Sequence, residues 1–194
     1  MLGAPLGIPI LNCARSNYAA NWGNTNWEQD ADLDGDDVPD PGIEFLGAPF
    51  SRAKSLRFSD IADGMDQTAL IGEVRRGNKI DCRGAFATPL PGGSLYMSRF
   101  TPNGQRDIYN HTPATGPGEG DQMPFPATCN PEKHLPCSYE PLEHTAFAGS
   151  RSQHSGGVHV LTASGAVRFA SDHIDHRLWS GFHSTAGHES GIGF

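Results

Sequence analysis

The stretch Ser152-Gln-His-Ser-Gly-Gly-Val-His-Val-Leu-Thr-Ala-Ser-Gly-Ala-Val-Arg-Phe-Ala-Ser-Asp172 decides the fold. Val158, Val160 and Thr162 alternate along one run, Val167 and Phe169 along the next, and Ser164-Gly165 lies between them. Period-2 patterning on both sides of a two-residue turn predicts a β-hairpin. Gly156-Gly157 lets the backbone bend sharply into the first strand. After the second strand, Asp172 is expected to accept from the free N–H groups that open a helix, with Asp175 adding its charge near the positive helix end. Ile174, Leu178 and Phe182 recur at helical spacing with Trp179 beside them, which predicts a short helix folded back onto the hairpin.

Working outward, Phe58-Ser-Asp-Ile-Ala-Asp-Gly-Met-Asp-Gln-Thr-Ala-Leu-Ile-Gly-Glu-Val74 reads as a single helical turn capped by Ser59, a turn at Asp63-Gly64, and a buried strand over Ala69 to Val74. Glu73 closes that strand. A carboxylate there is read as pairing with Arg75 or Arg168 to hold the sheet edge, rather than as catalytic. Arg76 to Gly149 is expected to be mostly loop. A strand is possible at Leu95 to Phe100, a turn at Thr101-Pro-Asn-Gly104, and a short strand beside the hairpin at Leu142 to Ala148. Thr112 to Pro126 is too dense in Pro and Gly for any element.

The 194 residues are enough for one domain with a real core. Within it, 1–27 is an entry segment, 28–42 an inserted acidic loop, and 150–194 the hairpin–helix motif. Only 37% of residues are apolar, against 24 glycines and 15 prolines, so a small core carrying long loops is expected. Fourteen basic and 22 acidic residues give a net charge of −8, which repels phosphate backbones and excludes nucleic acid as a natural partner. No apolar run approaches the roughly 18 residues that span a bilayer. Met1 to Leu11 lacks the basic start of a signal peptide.

Asp30-Ala-Asp-Leu-Asp-Gly-Asp-Asp-Val-Pro-Asp40 places six carboxylates in eleven residues. Such a loop either stays solvated or gathers around a hard cation, for which short oxygen donors and a Gly at the bend are suited. The order Asp32-x-Asp34-Gly35-Asp36-x-x-x-Asp40 resembles the thrombospondin type 3 calcium repeat. Asp37 stands where that repeat usually has Gly, and Asp tolerates left-handed backbone better than most residues. Asp30, Asp32, Asp34, Asp36 and Asp40 are the expected Ca2+ donors. An EF-hand is excluded because its twelfth position, counted from Asp30, is Pro41 rather than Glu.

Cys13, Cys82, Cys129 and Cys137 are an even set without paired C-x-x-C zinc spacing. A 129–137 bridge would clamp a Pro-rich loop, and a 13–82 bridge is the remaining pairing. The alternative is four reduced, buried thiols.

Three blocks together resemble the prepilin-type "H-x9-D-G" family. His154, Gly156, Gly157, Gly165, Val167, Arg168, Phe169, Ile174, Asp175 and Trp179 follow the order of its C-terminal motif, with Ser164 in place of the turn Asp. The run from Phe58 to Val74 and the segment Asn17-Tyr-Ala-Ala-Asn-Trp-Gly23 resemble its other two landmarks. The family's basic leader, cleavage motif and long apolar helix are not among these residues. The resemblance implies an α+β pilin-like globular head: an antiparallel sheet of short strands, few short helices and long loops. It also implies a pilin- or pseudopilin-like structural subunit, extracellular or at the cell surface, contacting copies of itself or similar subunits. His154 is expected to hydrogen-bond a backbone carbonyl that fixes the bend.

Two rival readings remain. Trp22 and Trp27 would serve as stacking platforms in a secreted carbohydrate- or protein-binding module, although with Tyr18 they are more often packing residues. Six of the nine His lie from His154 onward, and His173 and His176, with His183 or His188, would build a metal hydrolase. Against an enzyme, the triple Ser152, His154 and Asp172 has no G-x-S-x-G elbow, and no Walker loop or dinucleotide fingerprint occurs. Asn110-His-Thr112 fits the glycosylation pattern, which is too common to carry weight. The expectation is therefore a structural protein without catalysis.

Overall fold

The computed structural model describes residues 13–34, 36–52, 54–78, 81–86, 88–110, 129–133, 135–140 and 145–187. The hairpin forms as the alternation requires. Strand β6 (Gly157–Thr162) pairs antiparallel with β7 (Val167–Ser171), with Val158 opposite Ala170 and His159 opposite Phe169. Gly165 takes φ +89 in the connecting turn, a conformation that a Cβ penalises. At Gly157 a Cβ would lie 2.1 Å from the Ala170 carbonyl oxygen, so only Gly lets the strands approach.

Helix α1 (His176–Phe182) follows. Its N-cap is Asp175, whose Oδ1 accepts from the N–H groups of Arg177 and Leu178. The cap expected at Asp172 is therefore corrected: that carboxylate accepts instead from Asn103 Nδ2 at 2.8 Å. Trp179 and Phe182 are buried beneath the sheet, while Leu178 is exposed. Three residues of spacing on a seven-residue helix thus set the buried stripe, rather than the four-residue row through Leu178.

Three more strands complete the sheet: β1 (Tyr18–Asn21), β2 (Ala69–Glu73) and β3 (Leu95–Tyr96), in the order β3-β1-β2-β6-β7. All pairings in this sheet are antiparallel except β1 with β3. The architecture is α+β with short strands. Cross-strand partners share a face, so the register puts Ala19, Gly72, Val160 and Arg168 on one side and Tyr18, Glu73, His159 and Phe169 on the other. Val158, Val160, Ala170 and Ala69 pack with Trp179 and Phe182 beneath the first side. The opposite side is left open along β7, where Val167 is 66% and Phe169 47% exposed. Sequence alternation located this strand but not which of its sides is covered, and Val167 and Phe169 stand on the open one. The register buries Ala170 instead.

Asn21 anchors β1 into this arrangement. Its Nδ2 donates to the Ala69 and His183 carbonyls and its Oδ1 accepts from Gly23 N–H, which satisfies a fully buried amide. Around the N-terminal half, Trp22, Trp27, Cys82, Leu95, Met97, Tyr109 and Phe147 make a second apolar cluster. Trp22 and Trp27 stack with ring centroids 5.5 Å apart. Both are buried, so the stacking-platform reading of these rings is corrected to a core role.

The expected Leu95–Phe100 strand shortens to β3. After Tyr96 the chain changes partner, and Met97 N–H bonds to the Ala148 carbonyl at 2.9 Å. Of the expected 142–148 strand, residues 142–144 lie outside the described set. Phe147 bridges Ile108 rather than the hairpin. Strands β4 (Asp107–Asn110) and β5 (Cys137–Glu140) form a separate parallel pair in a region where sequence patterning predicts loop. Phe58–Asp60 is a single 3-10 turn, with Ser59 inside it rather than capping it. Asp60 Oδ2 accepts from Arg57 N–H instead.

The Cys129–Cys137 disulfide is formed, with Cα atoms 4.9 Å apart. Cys13 and Cys82 are not joined to each other, which corrects the second pairing. Cys82 is fully buried in the apolar cluster, and burial pushes its thiol up and away from reactivity. No helix of the described residues is long and apolar enough to cross a membrane.

Candidate functional site

Two of the landmarks read from the sequence, Glu73 and His154, meet in space although 81 residues separate them. Glu73 ends β2, and its carbonyl accepts from Ser150 Oγ and Arg151 N–H, both at 2.8 Å. That clamp brings the loop before the hairpin against the strand end. Ser152 Oγ then donates to the Gly157 carbonyl at 2.6 Å and accepts from His154 N–H at 3.0 Å, closing the bend. His154 Nε2 lies 3.0 Å from Glu73 Oε1, while Glu73 Oε2 accepts from His159 N–H at 2.7 Å and lies 3.5 Å from His159 Nδ1. The imidazoles meet edge to face with centroids 4.8 Å apart, and His159 is likewise 5.2 Å from Phe169.

The partner expected for Glu73 was an Arg. The register puts Arg168 on the opposite face, beside Val160, and Arg75 lies against the Gln153 amide. His154 likewise takes a carboxylate rather than the expected backbone carbonyl. His159 is the member of the cluster that sequence patterning does not single out. Its one signal there is an imidazole at an outward position of a strand whose other outward neighbour is Leu161.

Ser152, His154 and Asp172 line one depression, but their side chains bond elsewhere: Ser152 to Gly157, His154 to Glu73 and Asp172 to Asn103. The C-terminal His residues also diverge. His176 Nε2 is 2.7 Å from the Arg99 carbonyl on the surface, while His183 is fully buried between Tyr96 and Trp179. His188 and Asn110-His-Thr112 in part lie outside the described residues.

A second cluster lies in the acidic loop. Oxygen atoms of Asp32, Asp34 and Asp40 fall within 4.8 Å of one another, so this group can hold a metal ion. The loop is folded by its own carboxylates: Asp32 Oδ2 accepts from Asp37 N–H, Asp40 Oδ2 from Leu33 N–H and Asp34 Oδ1 from Asp36 N–H. Asp37 adopts φ +65, as its place at the usual Gly position requires. The Asp34 carboxyl is raised above its ordinary range, first by desolvation and then by the charges of Asp36, Asp40 and Asp32, against a lowering bond from the Asp36 backbone. A cation at the centre would relieve that repulsion. Asp30 and Asp36 are not in the group. Asp30 Oδ1 accepts from Asn26 Nδ2 at 2.7 Å and Asp36 Oδ1 from Val38 N–H at 2.9 Å, so three of the five expected donors converge here.

Fold and site together define an α+β protein in which His, Glu and Gly landmarks brace the mouth of a hairpin. The chain belongs to the family described as protein of unknown function (DUF1559), whose model matches residues 10–177. That span contains the first two blocks and the third as far as Asp175, with Trp179 just beyond it, and is consistent with the resemblance. No curated protein and no solved structure matches the chain.

Proposed function

We propose that this chain is the structural head of an extracellular or cell-surface protein of pilin-like kind. It works by contact with copies of itself or similar subunits, and calcium holds its acidic loop. The observation that carries the reading is the open side of β6 and β7. Val167 and Phe169 stand exposed on a terminal strand, with Leu161 and Ile71 half-buried on the same face and Tyr18 exposed farther along it. The free N–H and C=O groups of an edge strand are a template for pairing with another chain, and exposed apolar residues beside them favour burial against a partner. No catalysis enters this reading, and the hydroxyl of Ser152 is committed to the Gly157 carbonyl.

Size-exclusion with light scattering tests it. The expected result is concentration-dependent self-association that Val167→Lys with Phe169→Ser reduces to monomer. A chain that stays monomeric at hundreds of micromolar, or an oligomer indifferent to that pair, overturns the proposal.

The calcium part has its own test. Asp32, Asp34 and Asp40 offer oxygen only, the donor type hard cations select, with backbone carbonyls or waters completing the six to eight ligands Ca2+ takes. Calcium at a hundred times its dissociation constant is expected to stabilise the fold by about 2.7 kcal/mol. Asp40→Ala should abolish the shift, while Asp36→Asn, whose carboxylate turns to Val38, should retain most of it. Identical melting in calcium and in chelator would remove calcium from the account.

A further inference from the structure

We propose that Glu73, His154 and His159 form a binding site for a divalent transition-metal ion, with zinc the ion the donor set suits best. One carboxylate and two imidazoles offer donor atoms within 4.8 Å of one another. A four-coordinate zinc with bonds of about 2.0–2.1 Å has ligand atoms about 3.3 Å apart. His154 Nε2 lies 3.0 Å from Glu73 Oε1 and His159 Nδ1 3.5 Å from Glu73 Oε2, so each imidazole stands near ligand spacing from one oxygen of the carboxylate and an ion enters by side-chain adjustment.

The donors are also held by the fold. Glu73 and His159 sit on neighbouring strands of the sheet, and His154 sits in the bend pinned by Ser152. The His159 backbone N–H on Glu73 Oε2 supplies the outer hydrogen bond that orients a ligating carboxylate. The Glu73 side chain is 10% exposed, against 52% for His154 and 39% for His159. The carboxylate is therefore partly desolvated while both imidazoles face solvent, which leaves an entry path. A depression of about 220 Å3 lined by Glu73, His154, Asn17, Arg75 and Gln153 gives room for a fourth ligand such as water.

This site differs in chemistry from the acidic loop. Imidazole nitrogen suits zinc and its neighbours in the first transition row, whereas carboxylate oxygen alone suits calcium. The proposal does not depend on self-association or on calcium.

The test titrates the full chain with Zn2+ and with Co2+, in saturating Ca2+ so that the acidic loop is occupied. The expected result is one equivalent of Co2+ with the visible absorption of a low-coordinate ion, displaced by Zn2+. The double substitution His154→Ala with His159→Ala should weaken zinc at least 100-fold, and His173→Ala should leave it unchanged. Glu73→Gln should also weaken zinc, but it alters a buried brace. The two half-exposed histidines therefore carry the decision, with circular dichroism checking that the double variant folds. Zinc affinity unchanged in the double variant, or no cobalt absorption and no zinc heat at millimolar ion, overturns the proposal.

Discussion

Asp107→Asn is expected to lower the unfolding free energy by about 3–5 kcal/mol, the usual cost of removing one partner from a buried ion pair. Asp107 joins two guanidinium groups: its Oδ2 lies 3.3 Å from Arg83 Nη1 and its Oδ1 3.0 Å from Arg151 Nε. Arg83 also grips Asp81 through Nε and Nη2. All four side chains are at most 5% exposed, and their charges balance. Burial opposes the Arg83 charge, yet its hydrogen bonds to Asp81 and the surrounding charges, Asp107 included, raise its pKa overall. Asparagine at 107 would leave two buried cations sharing one anion. It would also weaken the acceptor for Gly149 N–H, so the link between β4 and the segment leading to the hairpin would loosen. The exposed Arg52–Glu28 pair provides the contrast. Glu28→Gln there should change stability by no more than about 1 kcal/mol. Urea unfolding of the three proteins decides the matter, and a loss of less than 1 kcal/mol for Asp107→Asn would show that water or rearrangement supplies the missing charge.

That network also explains why the middle of the chain was hard to read. Residues 76–149 show little hydrophobic periodicity, and the described residues among them are held in part by a buried set of charges and by isolated bridges between distant segments. Neither has a period in sequence. Arg83, Asp107 and Arg151 are far apart along the chain and look individually like ordinary surface residues. The hairpin was legible for the opposite reason. Its information is local, alternation on both sides of a Gly-containing turn, and strand pairing follows directly from it. Alternation does not say which side is covered, however. That depends on where α1 docks, and Trp179 and Phe182 put the helix on the Val158 and Val160 side.

The candidate site divides along the same line. The Asp-rich loop announced itself through residue order, but which carboxylates converge is decided by bonds such as Asn26 to Asp30, invisible in a list of aspartates. Glu73 and His154 were each singled out from family-like blocks. Their meeting depends on the clamp of Ser150 and Arg151 onto the Glu73 carbonyl, a contact between distant segments. His159 became significant only through the β2–β6 register. Sequence singled out two of the three residues, as structural groups, and topology supplied the third.

Acidification is expected to destabilise the fold through His183, by about 2.7 kcal/mol between pH 7 and pH 4.5 from this residue alone. The imidazole is fully buried among Trp179, Phe182 and Tyr96. The Trp179 carbonyl, 2.8 Å from Nδ1, can only accept, so Nδ1 carries the proton. Nε2 then accepts from Tyr96 Oη–H at 2.8 Å. Burial holds Tyr96 as a neutral phenol, far above its ordinary pKa. It also pushes His183 down to about 3 from 6.5, with the Trp179 bond pulling weakly the other way. Below pH 6.5 the unfolded chain takes up a proton that the folded chain refuses until about pH 3. The unfolded state therefore binds more protons throughout that window, and stability falls by about 1.4 kcal/mol per pH unit as the solution is acidified. Above 6.5 the residue contributes no slope. His183→Gln retains hydrogen-bonding capacity but cannot ionise, so the variant should lose less stability than the parent between pH 7 and 4.5, whatever its absolute value at pH 7. Proton NMR gives the direct readout: the His183 ring resonance in the folded protein should stay unchanged from pH 7 to 4.5. A resonance titrating near 6.5 would mean that the Tyr96–His183–Trp179 chain is open to water, and the acid sensitivity would then have to come from the carboxylates.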